Sequence, residues 1–213
     1  MIDTSALPIF FAAVAALLVV PGPDFMLIAS QSVSRGASYG VACSAGIFLA
    51  GILQTLLVAF GLGALMETWP LVATIVRLLG AVYLAYLGLR LLLAWHRQRE
   101  PQCHNAPKSA PSIPTLLMVG LGNNLLNPKA LLFFSVFIPQ FVVPEIGSPS
   151  TQIMAWGGML SLLALVYNLT LSLLLSWVRF LHIDVLRLQH HGQGILGLVF
   201  LFLAARLSLA RTA

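Results

Sequence analysis

The sequence predicts an all-α integral membrane protein of six transmembrane helices, arranged as two inverted three-helix repeats with the first and fourth helices broken. Three observations carry this prediction. Of the 213 residues, 59% are hydrophobic and only 8% are charged, and mean hydropathy is +0.96, so there is too little polar surface to cover a water-soluble globule. The apolar residues form long unbroken runs. A spanning β-strand would instead alternate polarity over about 10 residues, whereas a spanning helix needs about 20 apolar residues in succession. Finally, a proline followed by a charge interrupts the first and the fourth of these runs.

In order, the apolar segments run from Ala6 to Ser34, Tyr39 to Met66, Leu71 to Trp95, Thr115 to Val143, Ile153 to Trp177 and Gly194 to Leu209. Each is long enough to cross a hydrocarbon core about 30 Å thick at 1.5 Å of rise per residue. The first and fourth, at about 29 residues, would measure roughly 43 Å as continuous helix, and both contain prolines, so each is expected to be broken, bent or tilted. The N-terminus, Met1-Ile2-Asp3-Thr4-Ser5, has no basic stretch, and no small-residue cleavage signal follows its apolar run. The first segment is therefore expected to remain as a span.

The stretch from Arg97 to Pro114 holds Pro101, Pro107, Pro111 and Pro114 among polar residues. It cannot be helix interior and is expected to link two halves, 1–96 and 115–213, through residues 97–114. Arg35, Arg97, Arg99, Lys108, Arg179 and Arg187 fall in alternate connections, while Glu67 and Glu145 mark the others. By the preference of basic loops for the cytoplasm, the linker is cytoplasmic and both termini lie outside, although Arg206 and Arg211 oppose that assignment. From Arg179 to Gln193, Phe180, Leu181, Ile183, Leu186 and Leu188 interleave with charged and histidine residues. That pattern suits a short interfacial helix, with a plain polar loop as the alternative.

Placing Pro23 over Pro128 aligns Pro23-Asp24-Phe25-Met26-Leu27-Ile28-Ala29-Ser30 with Pro128-Lys129-Ala130-Leu131-Leu132-Phe133-Phe134-Ser135. An odd number of spans per half requires any such repeat to be inverted, and paired broken helices near the midplane are a recurring transporter plan. Proline removes a backbone N–H and frees carbonyls that only a protein- or water-lined cavity tolerates at membrane depth. The half-helix that follows begins with exposed N–H groups and a positive dipole end suited to an anion. Asp24 fits that place. Lys129 does not, and a buried cation there needs an anionic partner.

The residues expected to bind or couple are Pro21, Gly22, Pro23, Asp24, Gln54, Asn123, Asn127, Pro128 and Lys129. Asp24 and Lys129 would pair when empty and each exchange its partner for one end of a zwitterion, which never leaves a buried charge alone. A fixed salt bridge, or two charges snorkelling to opposite interfaces, is the competing reading. Gln54, Asn123, Asn124, Asn127 and Asn168 can each supply the donors and acceptors a cavity needs or an interhelical hydrogen bond; the cavity is favoured for Gln54, Asn123 and Asn127 and the interhelical bond for Asn168. Arg77 reads equally as an interfacial anchor or a pathway residue. Gly46-x-x-x-Ala50, Gly36-x-x-x-Gly40 and Gly157-Gly158 read as close helix contacts, which also permit a homodimer.

Cofactor and metal sites are not expected. Cys43 and Cys103 form no C-x-x-C pair, and His190-His191 lacks a third ligand at a useful spacing. With one aspartate and no histidine well inside the spans, the pairings of hydrolytic enzymes are missing. The net charge of +5 is spread among connections rather than gathered on one face, which argues against nucleic acid as a partner.

Val20-Pro21-Gly22-Pro23-Asp24-Phe25, Gly80-Ala81-Val82-Tyr83-Leu84-Ala85-Tyr86-Leu87-Gly88, Asn124-Leu125-Leu126-Asn127-Pro128-Lys129-Ala130 and Phe137-Ile138-Pro139-Gln140-Phe141 together resemble motifs of the LysE/RhtB family of bacterial amino-acid exporters. The resemblance implies a multi-pass protein of the inner membrane that exports amino acids or close derivatives, driven by protons, with the two proline segments at the core of the pathway. It covers the first four spans. Family members often carry histidine where Gln54 stands and lysine where Arg77 stands, so proton coupling would fall to Asp24. A channel, a solute-sensing membrane subunit and an inorganic-ion exporter are the alternatives, the last disfavoured by the lack of a Cys/His/acid cluster in the spans.

Overall fold

The computed structural model describes residues 2–19, 21–69 and 111–178 continuously, with scattered helical positions between 71 and 96 and between 198 and 205. Residues 97–110 of the expected linker, Arg77, the His190-His191 pair, the Arg179–Gln193 segment and most of the third and sixth apolar runs lie outside the described residues. At the linker's end, Ser112 caps a helix that already begins at Ile113 with Pro114 in its first turn. Every regular element among the described residues is helical. In chain order they are α1 (Leu7–Val19), α2 (Pro23–Arg35), α3 (Ala37–Leu57), α4 (Ala64–Thr68), α5 (Ile113–Leu125), α6 (Pro128–Leu132) and α7 (Pro149–Val178).

Two continuous helical stretches are long and apolar enough to cross a membrane, Ala37–Met66 and Pro149–Trp177. A third span results if α1 and α2 are taken together, since they pass the same test across a bend of 53°. The fourth apolar run is divided into two shorter apolar helical stretches, Ile113–Leu125 and Lys129–Phe141. Both breaks fall where proline predicts them. Gly22 is the N-cap of α2, with Pro23 opening the helix, and Asn127 is the N-cap of α6, with Pro128 opening it. A proline at the first helical position forfeits no intrahelical bond and its fixed φ suits the helix, so in both halves it starts a new helix.

Small residues set how closely these helices approach. A Cβ at Gly46 would run into the backbone of Leu117, and one at Gly120 into the backbone of Cys43, so α3 and α5 cross with main chain against main chain. Against α7, Gly40 faces Ser172, Gly51 faces Ser161 and Gly157 faces Thr55. Because positions rising along α3 meet positions falling along α7, the two helices run antiparallel. Two of the glycines singled out above behave differently. Gly36 adopts φ +105° in the tight turn between α2 and α3 and has open space around it, and Gly158 also has nothing near its missing side chain. Gly36 serves backbone geometry, where a positive φ favours glycine.

Near the start of α7 the apolar core is aromatic. Phe10, Phe133, Phe137, Phe141 and Trp156 pack together, with ring centroids 4.7 Å apart for Phe10–Trp156, 4.3 Å for Phe133–Phe137 and 5.3 Å for Phe141–Trp156. Widened π-helical turns at Val58–Gly63 and Phe133–Phe137 adjoin this cluster. The connection before α7 is held by Gln152, whose Nε2 donates to the carbonyls of Val143 and Gly147 and whose Oε1 accepts from the Val143 N–H.

Candidate functional site

The two helix breaks meet. Asp24, in the first turn of α2, lies half-buried, and its carboxylate is gripped by three amides from the end of α5 and the break that follows. Asn123 Nδ2 donates to Oδ1 at 2.6 Å. Asn124 Nδ2 and Asn127 Nδ2 both donate to Oδ2, at 2.7 Å and 3.1 Å. An ionised carboxylate only accepts, so three convergent donors suit the charged form.

Asn127 works in both directions, which explains why an asparagine suits the second break. Its Oδ1 accepts from the Lys129 backbone N–H at 3.0 Å, capping α6, while its Nδ2 reaches Asp24 in the other half of the chain. Lys129 crosses the same boundary the other way. Its side chain lies against Gly22, where an added Cβ would stand 3.4 Å from Cδ and 3.5 Å from Nζ. Those are ordinary contact distances, so the Lys129 side chain rests directly on the first break, and Asp24 attracts its ammonium electrostatically.

A cavity of about 70 Å³ opens beside these groups, room for several waters, since one needs roughly 10–15 Å³ of such space. Its polar edge includes Asp24, Asn124, Asn127, Lys129, Ser161, Tyr167 and Asn168, and its apolar wall includes Phe25, Ile47, Phe48, Phe133, Phe134 and Leu160. Phe133 belongs both to this wall and to the aromatic cluster, so one end of the cavity abuts a close-packed apolar plug.

Of the residues singled out from sequence, Gly22, Asp24, Asn127 and Lys129 line the cavity. Asn123 acts on it through Asp24. Gln54 stands behind the rim, its Nε2 donating to the Asn124 carbonyl at 3.2 Å. Pro21 is buried outside the lining, and Pro23 and Pro128 open the two half-helices. Sequence reasoning left Asn124 undecided between cavity and packing and favoured packing for Asn168; both line the cavity. The run Asn123-Asn124-x-x-Asn127 was the available signal: three amides within five residues, just before a helix-opening proline. Among the described residues no group of three His, Cys, Asp or Glu could hold a metal ion.

Membrane-length helices, together with two proline-opened half-helices that bring an acid and a lysine to one cavity, define a multi-pass membrane protein. The sequence profile of the LysE type translocators matches residues 15–211, and the chain belongs to that family. It is 31% identical over 192 residues to a leucine efflux protein of Klebsiella pneumoniae, covering 90% of this chain and 89% of the relative. It is also 31% identical over 193 residues to a leucine efflux protein of Enterobacter sp., covering 90% of each. An uncharacterized membrane protein of Pseudomonas aeruginosa is 32% identical over 152 residues, 71% of this chain and 70% of the relative. No solved structure matches the chain.

Proposed function

We propose that this protein is a secondary active exporter of amino acids or close derivatives across the bacterial inner membrane, coupled to protons, with Asp24 and Lys129 addressing the two charged ends of the solute. The observation that carries this reading is the joining of the two breaks: an acid from one and a cation from the other border one cavity. A zwitterion carries both complementary charges, so it can exchange for each protein group's partner without stranding either one in a low-dielectric site. The apolar wall of Phe25, Ile47, Phe48 and Leu160 suits an aliphatic side chain, in keeping with the leucine efflux relatives.

A carrier is favoured over a channel. The cavity abuts a packed aromatic cluster through Phe133, which suits a solute passed by movement of the halves, as in alternating access. Two inverted three-helix halves would supply that motion, and in this reading the Arg35 turn faces the cytoplasm. Asp24 is the group proposed to carry the coupling proton, releasing its three amide donors as it is neutralised. The test is uptake of radiolabelled L-leucine into inverted vesicles with and without an imposed proton gradient. Uphill, gradient-dependent accumulation that the Asp24→Asn protein lacks is expected, whereas flux that only follows the leucine gradient would indicate a channel.

A further inference from the structure

The amide groups around Asp24 leave two acceptors unanswered. Asn124 Oδ1 and Gln54 Oε1 are buried with no hydrogen-bond partner, on residues only 5% and 3% exposed. Buried amide oxygens without a donor are uncommon in native proteins, and each calls for an explanation such as a functional role or a bound water or ion. The two belong together. Gln54 Nε2 donates to the Asn124 carbonyl, Asn124 Nδ2 donates to Asp24, and Asn124 lines the cavity. Gln54 does not itself line the cavity, but it stands directly behind the lining, on the same side of α3 as Ile47 and Gly51, seven and three residues earlier, which do line it.

We infer that Asn124 and Gln54 form an acceptor pair which, beside the Asp24 carboxylate, selects a solute bearing a free primary ammonium group. This rests on the proposed export of amino acids and narrows it. A primary ammonium has three donors and no acceptor, matching two uncharged oxygens next to a counter-charge. An N-acylated amino acid has one N–H, no charge on nitrogen and a bulky substituent there. A 2-hydroxy acid has one donor and no charge. Both leave at least one of the two oxygens unpaired, and sites built to pair a polar group discriminate strongly against analogues that lack it. N-blocked derivatives and hydroxy acids are therefore excluded from the substrate class.

The test is counterflow of radiolabelled L-leucine in proteoliposomes holding the full chain, with unlabelled L-leucine, N-acetyl-L-leucine or L-2-hydroxy-4-methylpentanoate as competitors, in sodium and in choline buffers. Wild type should prefer leucine to either analogue by at least about tenfold, equally in both buffers. Gln54→Met, which keeps length but removes the acceptor, should cut that preference about tenfold by weakening leucine alone, and Gln54→Glu should retain it. Equal competition by the hydroxy acid in wild type overturns the inference, as does a Gln54→Met protein that weakens all three competitors alike. Counterflow that needs sodium also overturns it, because the pair would then hold an alkali cation. No leucine or other amino-acid exchange in wild type would instead overturn the proposed function itself. Should Gln54→Met fail to fold, the wild-type competition and Gln54→Glu still decide.

Discussion

At the scale of single residues, Asp24 is the carboxylate on which three amide donors converge. Replacing it by asparagine puts an amide N–H₂ among Asn123, Asn124 and Asn127, so at least one of those donors loses its partner or must rotate. A hydrogen bond to a charged group contributes about 1.5–3 kcal/mol. Asp24→Asn is therefore expected to lower the midpoint of thermal unfolding in detergent by several degrees and to abolish gradient-driven leucine transport. Asn127→Ala removes a helix cap and one Asp24 donor together. Loss of a cap costs about 0.5–2 kcal/mol, so this variant should be destabilised more than a capping change alone, with transport reduced at least about tenfold. A double-mutant cycle of Asp24→Asn with Asn127→Ala should show non-additive unfolding free energies, because the two residues share a bond.

At the scale of elements, the contacts of α3 separate glycines that pack from glycines that do not. Gly46→Ala and Gly120→Ala each push a methyl group into facing main chain, which cannot rotate aside as a side chain can. Overpacking of this kind typically costs about 1–3 kcal/mol, and both variants should unfold at markedly lower temperature. Gly158→Ala and Gly61→Ala meet nothing within contact range and should leave the unfolding midpoint unchanged or slightly raised, since alanine is the better helix former. The proline-opened starts of α2 and α6 were legible in the sequence because proline constrains its own φ and hydrogen bonding locally. The division of the glycines was not legible, because Gly36 and Gly46 share one spacing pattern, Gly157 and Gly158 are adjacent, and only the surrounding structure distinguishes the members of each set.

At the scale of the whole molecule, the proposed topology puts the Arg35 turn and the Glu145 connection on opposite sides of the membrane. In a protein whose native cysteines have been replaced, Ser38→Cys at the exposed start of α3 should react with a membrane-impermeant maleimide only in inverted vesicles. Glu145→Cys should react only in intact, outer-membrane-permeabilised cells. The reverse pattern would invert the assignment drawn from the basic connections. The aromatic cluster offers a second test at this scale. Trp156→Ala leaves a large void in fully buried packing, and truncation of such a side chain costs about 3–5 kcal/mol. Phe137→Leu, a milder change in the same cluster, should keep the fold and raise downhill leucine leak if the plug seals the cavity.

The sequence by itself determined the medium, the helical class and the two places where helices restart, because hydrocarbon tolerates only satisfied backbone and proline acts on its own dihedral wherever it stands. It also marked Asp24 and Lys129 as charges in need of company. Only the tertiary structure decided what that company is. Asn123, Asn124 and Asn127 reach Asp24 across about a hundred residues of chain, Lys129 rests against Gly22, and Asn168 turns to the cavity. Hydrogen bonds and close contacts depend on distances of a few ångströms between segments far apart in the chain, and residue type and spacing along the chain do not fix those distances.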